Sequence, residues 1–189
     1  MARNRRELLS RIAAMRGPVD YTTAKVLSTY ENDDELNEAL RELVARGLLF
    51  RREGQAYYDL HPIVRQYAYD RLGDKAGTHQ RLKDYFDMVP KPEKIESLDD
   101  LMPTIELFHH TIASGGYKGA CRVYRDRLFT PLYYQLGAYD TCISLVQAFF
   151  PDGEDQPPRL EDESDQSLIL NYLSLAYHNT GQSHKALGL

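Results

Sequence analysis

The sequence predicts a mainly α-helical chain: three helices and a β-hairpin over residues 1–75, then an array of α-helical hairpins over residues 76–189. Three observations carry this. Apolar residues recur three and four apart through most of the chain, the spacing of a buried helix face. The stretch Leu48 to Leu72 alternates instead around a turn at Gly54, then resumes helical spacing after Pro62. Beyond it, one pattern occurs three times: Gly115, Gly137 and Gly181 are each followed, five residues on, by a small residue (Ala120, Cys142, Ala186).

The elements follow in order. Leu8, Ile12 and Met15 give a first helix that stops at Gly17-Pro18. Asp20 or Thr22 caps a short second helix through Leu27, with Ala24 and Leu27 facing inward. A third helix runs from about Asp33 to Arg46 with the stripe Leu36, Leu40, Leu43 and Val44, and Gly47 ends it. Its acidic start, Asp33, Asp34 and Glu35, suits the positive end of a helix dipole. Leu48-Leu49-Phe50, the turn Arg52-Glu53-Gly54-Gln55 and Ala56 to Leu60 read as a β-hairpin. Three helices and a hairpin make the winged variant of the helix-turn-helix. His61-Pro62 then opens a helix whose buried side is predicted as Ile63, Val64, Tyr67, Ala68 and Leu72. Pro62 suits the first turn, where its missing N–H is not needed, and His61 reads as a corner residue that helps cap the helix.

Charge and composition narrow the function. The net charge of −5 argues against a nucleic-acid coat or a membrane-surface protein, while leaving room for a local basic face. In a winged helix that reads DNA, the third helix enters the major groove. Here that end carries Asp33, Asp34, Glu35 and Glu38, which oppose phosphate charge. The arginines Arg3, Arg5, Arg6, Arg51 and Arg52 read as solvated surface charge. This winged helix is therefore expected to contact protein and not nucleic acid; the alternative is a DNA-binding transcription regulator with a helical partner-sensing domain. Cys121 and Cys142, isolated within helical patterns, read as small core residues of a reduced cytoplasmic protein. No apolar run follows the N-terminal arginines as in a signal peptide, and no window is long enough to span a bilayer.

The run ALRELVARGLLFRREGQAYYDLHPIVRQYAYDRL resembles the winged-helix domain of STAND-class signalling ATPases, the NB-ARC group of apoptotic, plant immune and bacterial regulators. A leucine-rich helix, "L-x-x-RGLL", a hairpin and "LHP-[IL]-V-R-x-Y-A" follow one another in that family as they do here, over roughly the first 75 residues. The resemblance implies that His61 occupies the MHD-type position, where the family's His contacts the β-phosphate of ADP on the neighbouring ATPase domain. Leu60 and Pro62 flank it, as is usual in bacterial relatives. No G-x-x-x-x-G-K-[ST] loop occurs anywhere in the chain. Any ADP or ATP would therefore sit on an adjacent nucleotide-binding domain outside it, and the chain itself is expected to hold no cofactor. Two readings stay open: a chain cut after its ATPase domain, with His61 a sensor, or a stand-alone relative, with His61 structural.

Gly73 to Gly77 reads as a hinge-like boundary. Leu82, Tyr85, Phe86 and Val89 form the next helix face, ending at Pro90 and Pro92. The clearest helix follows, with Leu98, Leu101, Ile105, Phe108 and Ile112 inward and Ser97 as its cap. His109-His110 look like metal ligands, but neighbours on a helix point about 100° apart and no site is completed around them. Thr130-Pro131 is read as starting a shortened helix, and Pro151 to Gln166 as an acidic loop. Leu173, Tyr177, Gly181 and Ala186 match the tetratricopeptide-repeat pattern, whose period is about 34 residues. The Gly turns are spaced irregularly, so the hairpins are expected to be degenerate, with a last repeat that breaks off at Leu189 and would continue in a longer chain. Tyr124, Tyr133, Tyr134 and Tyr172 are candidate groove residues, with core packing the plainer role. No catalytic constellation is evident. The expected function is non-catalytic regulation: repeats that bind a protein or peptide, and a winged helix that relays this to a nucleotide-binding domain.

Overall fold

The computed structural model describes residues 3–51 and 56–186, which form two compact units, Met1–Tyr85 and Phe86–Leu189. In the first, α1 (Arg3–Ile12) is followed by β1 (Val19–Asp20), α2 (Tyr21–Leu27) and α3 (Asp33–Ala45). Asp20 caps α2 by accepting the Thr23 N–H at 2.7 Å, and Asn32 caps α3 by accepting the Glu35 N–H at 2.9 Å. Gly47 closes α3 at φ 67°, with its N–H on the Val44 carbonyl and that of Leu48 on Leu43, the paired bonds of a Schellman end. Leu36, Ala39, Leu40 and Leu43 of α3 are buried, as are Leu8, Ile12, Ala24 and Leu27 of α1 and α2. Val44, expected in that stripe, is only half-buried.

The wing differs from the simple hairpin expected. β2 (Tyr57–Tyr58) pairs antiparallel with β1, Val19 opposite Tyr58 and Asp20 opposite Tyr57, and Phe50 and Asp59 exchange both backbone bonds at 2.8 and 2.9 Å. The two-residue β1 is too short to show a period in the sequence; pairing with β2 creates it. The turn residues Arg52 to Gln55 lie outside the described residues. Then α4 (Pro62–Asp70) and α5 (Lys75–Met88) as far as Tyr85 complete the unit. Gly73 to Gly77 is the capped start of a helix and not an open hinge: Asp74 accepts the Gly77 N–H at 2.8 Å, and the Tyr69 hydroxyl meets His79 Nε2 at 2.8 Å. The expected boundary at 75/76 thus coincides with the first turn of α5, whereas the compact units divide between Tyr85 and Phe86.

The second unit is helical. A 3₁₀ turn (Asp99–Leu101) leads into α6 (Met102–Ala113). Ser97 does not cap it. The Asp100 carboxylate instead accepts from the N–H groups of Glu96 and Ser97 and from the Ser97 hydroxyl, bonds that hold its pKa below the usual carboxylate value. α7 (Tyr117–Val123) continues without a break through two π-helical stretches, Tyr124–Leu128 and Pro131–Gln135. Pro131 therefore starts no new helix. A proline ring clashes with the carbonyl four residues back and supplies no N–H, and the wider π turn relieves both conflicts. α8 (Tyr139–Val146) ends in a 3₁₀ turn (Gln147–Phe149); α9 (Glu163–Asn179) and α10 (Ser183–Ala186) follow the acidic loop. Gly115, Gly137 and Gly181 sit at φ 84°, 59° and 75° between successive helices, a region that side chains with a Cβ rarely adopt. Ala120 and Cys142 behind two of these turns are fully buried, as close helix packing requires; the Ala186 side chain lies outside the described residues.

The core of this unit, otherwise largely aliphatic, contains a cluster of aromatic rings. Phe108 sits 5.7 Å from the Phe149 ring and 6.1 Å from Tyr124. The buried Tyr124 hydroxyl lies by the Cys142 thiol, without an oxygen or nitrogen partner among the described residues, and burial pushes its pKa far up. A thiol sulfur is a weak acceptor, so this contact offsets little of the hydroxyl's lost hydration. Tyr124→Phe is therefore expected to leave urea stability unchanged or raised by up to about 1 kcal/mol. A loss of more than about 1 kcal/mol would mean that the hydroxyl–thiol contact contributes as much as an ordinary hydrogen bond.

Candidate functional site

Two features of the winged-helix unit gather chemistry at α4. At its start His61 is exposed, and its Nδ1 accepts the Ile63 N–H at 3.3 Å, a long capping bond. The proton of the neutral ring then resides on Nε2, which is left as a donor. Pro62 stands in the first turn as expected. One turn on, Arg65 donates to the carbonyls of Met15 and Gly17 and, at 2.6 Å, to Asp59 Oδ1, which also accepts the Leu60 N–H. This guanidinium joins α4 to the α1–β1 connection and to the end of the wing, and so fixes the direction in which the His61 corner is presented. The sequence marked Arg65 only as part of a motif; its partners are up to fifty positions away.

The second feature corrects an expectation. Ala68 and Leu72 are buried, but Ile63 is 74% and Tyr67 58% exposed. Helical spacing identified them as one apolar face, and the unit leaves that face open. It borders a groove of about 790 Å³ lined by α1, Leu48, α4 and the residues to Asp74.

The third helix, α3, which would enter the major groove in a DNA-reading winged helix, presents carboxylates. Asp34, Glu35 and Glu38 are exposed. Asp33 is paired with Lys25 at 2.7 Å, a bond that lowers its pKa, and Glu42 is paired with Arg5 and Arg46. Basic residues near α3 are thus engaged with its own acids. Arg51, at the wing, lies over the Tyr58 ring at 5.7 Å, and Arg52 lies outside the described residues.

In the helical unit the tyrosines form a ladder from core to surface. Tyr124 and Tyr172 are buried, their rings 5.4 Å apart; Phe129 lies 4.0 Å from Tyr172 and 5.2 Å from Tyr133; Tyr134 is 69% exposed. The Tyr133 hydroxyl accepts from Asn179 at 2.6 Å. Of the four candidate groove tyrosines, two are therefore core, and Tyr134 is mostly exposed with its ring edge-on to Phe129 and Tyr133. His110 is fully buried, with Nε2 3.3 Å from Glu106 Oε2 and its ring stacked on Phe86. The sequence reading passed over Glu106, although its position one turn before His110 is the signal that pairs them. No group of three or more His, Cys, Asp or Glu suited to a metal occurs among the described residues. Cys121 and Cys142 are free and buried, and burial pushes the Cys121 thiol up to about 11, which keeps it protonated and unreactive. No helix among the described residues is long and apolar enough to cross a membrane.

Neither the curated proteins nor the solved structures contain a match to this chain. A family model does match, over the α1-to-α4 unit and its sheet. Its extent agrees with the three helices, the paired strands and the helix after the wing. Residues 1–73 are a winged helix-turn-helix domain, followed by a helical region.

Proposed function

We propose that this chain is a non-catalytic regulatory segment of a STAND-type signalling protein. Its winged helix would couple a tetratricopeptide-like, partner-binding helical region to a nucleotide-binding domain outside the chain, in the cytoplasm. The observation that carries the reading is the charge of α3: exposed Asp34, Glu35 and Glu38 at the end that would meet DNA, with the nearby Lys25, Arg5 and Arg46 already bonded to its carboxylates. Two further observations support it. Gly115, Gly137 and Gly181 repeat one turn geometry between successive helices, as hairpin repeats do. His61 is exposed on the corner held by Arg65, with Nε2 as a donor suited to a phosphate oxygen.

His61 is the group to test. The reading frame on both sides of the gene is determined first, and the protein carrying its nucleotide-binding domain is purified and its bound ADP measured. A hydrogen bond to a charged phosphate contributes about 1.5–3 kcal/mol, so His61→Ala should weaken ADP retention about 10- to 100-fold. Unchanged retention, or a frame without such a domain, would remove the sensor role. The DNA-binding alternative then becomes the leading one.

A further inference from the structure

The groove between α1 and α4 has a composition that neither the core nor the His61 corner explains. Its floor is apolar: buried Leu9, Ala68 and Leu72, with Ile63 and Tyr67 standing open one turn apart on the same face of α4. Its edge is basic. Arg3, Arg6 and Arg71 are exposed, and none of them lies within ion-pair distance of a carboxylate among the described residues. The two acids at the groove are already engaged, Glu7 with Arg11 at 2.6 Å and Asp74 in capping α5. The Arg71 guanidinium lies 3.4 Å over the Tyr67 ring and donates to the Tyr67 carbonyl, so a positive charge is held directly beside the apolar face. On a chain of net charge −5 such an edge is a local reversal of sign.

We propose that this groove docks a short acidic amphipathic helix from a protein partner. Apolar side chains spaced i and i+4 would lie on Leu9, Ala68, Ile63 and Tyr67, and Asp or Glu side chains would meet Arg3, Arg6 and Arg71. The groove runs between two helices and offers no free strand edge, so it suits a helix laid into it and not an added strand. The nine residues of α4 give a wall of about 13 Å, enough for two to three turns of an occupant. The apolar floor would gain nothing from a phosphodiester backbone, which argues for a peptide over nucleic acid.

The test uses the full 189-residue chain. A display library of random sixteen-residue peptides, roughly four helical turns, is selected on the wild type and counter-selected on Ile63→Asp. Because Ile63 is mostly exposed, this variant should fold, which circular dichroism verifies. The expected winners carry apolar residues at i, i+4 or i, i+3 and at least two acidic residues. A selected peptide should lose at least about tenfold in affinity on Ile63→Asp and about threefold or more on Arg6→Glu, with binding that weakens as salt rises. Three results would each overturn the proposal. One is the enrichment of neutral or basic peptides, or of none. Another is equal binding to wild type and Ile63→Asp. The third is displacement of the peptide by duplex DNA, anionic vesicles or self-association of the chain.

Discussion

Phe108→Ala should destabilise the helical unit by about 3–5 kcal/mol in urea unfolding, the usual cost of emptying a buried Phe position. Phe108 is 1% exposed, meets Phe149 edge to face at 5.7 Å and Tyr124 at 6.1 Å, and lies where α6, α7 and the end of α8 converge. Aromatic pairs of this kind add roughly 0.5–1.5 kcal/mol to simple burial, so the loss should fall toward the upper end. Phe108→Leu, which keeps most of the volume, should cost less than about 1.5 kcal/mol. A loss below 1 kcal/mol for the alanine variant would show that the helices do not share this core.

Arg65→Ala should weaken the winged-helix unit by about 2–3 kcal/mol. The guanidinium donates to Met15, Gly17 and Asp59 from a side chain that is 18% exposed, and hydrogen bonds to charged groups contribute about 1.5–3 kcal/mol where they are buried. Asp59 is half exposed, which reduces the share of the ion pair itself. Removing the side chain also leaves two backbone carbonyls to find water. Arg65→Lys keeps the charge but not the planar fork, and should recover less than half of the loss. If both variants were as stable as the wild type, the orientation of α4, and with it the placement of His61, would have to be set by packing alone.

Much of this architecture was legible because helices announce themselves. The stripes through Leu8 and Ile12, Leu36 and Leu43, and Ile105 and Phe108 all face cores. The three Gly turns were readable because one backbone conformation recurs with one residue type. What the sequence hid has specific causes. β1 is two residues long and exists through its pairing with β2. Pro131 sits within a helix because π turns relax around it, and a proline rule has no term for that. Asp100 and not Ser97 holds the turn before α6, since either side chain could have done so at that spacing. For the site, periodicity placed Ile63 and Tyr67 on the buried side of the helix, where the structure leaves them exposed, because spacing groups a face without showing what covers it. The position of His61 was legible through its neighbours Leu60 and Pro62, whereas the Arg65 clamp depends on contacts far apart in the chain.

We propose that this winged helix contacts protein and does not read DNA. The most direct measurement is the fluorescence anisotropy of a labelled duplex titrated with the chain at low salt. Repulsion by Asp34, Glu35 and Glu38 predicts no saturable binding up to about 100 µM, the weak limit of ordinary non-specific DNA binding. Saturation in the micromolar range, with an affinity that falls steeply and log-linearly with salt, would contradict the account and make this domain a DNA reader.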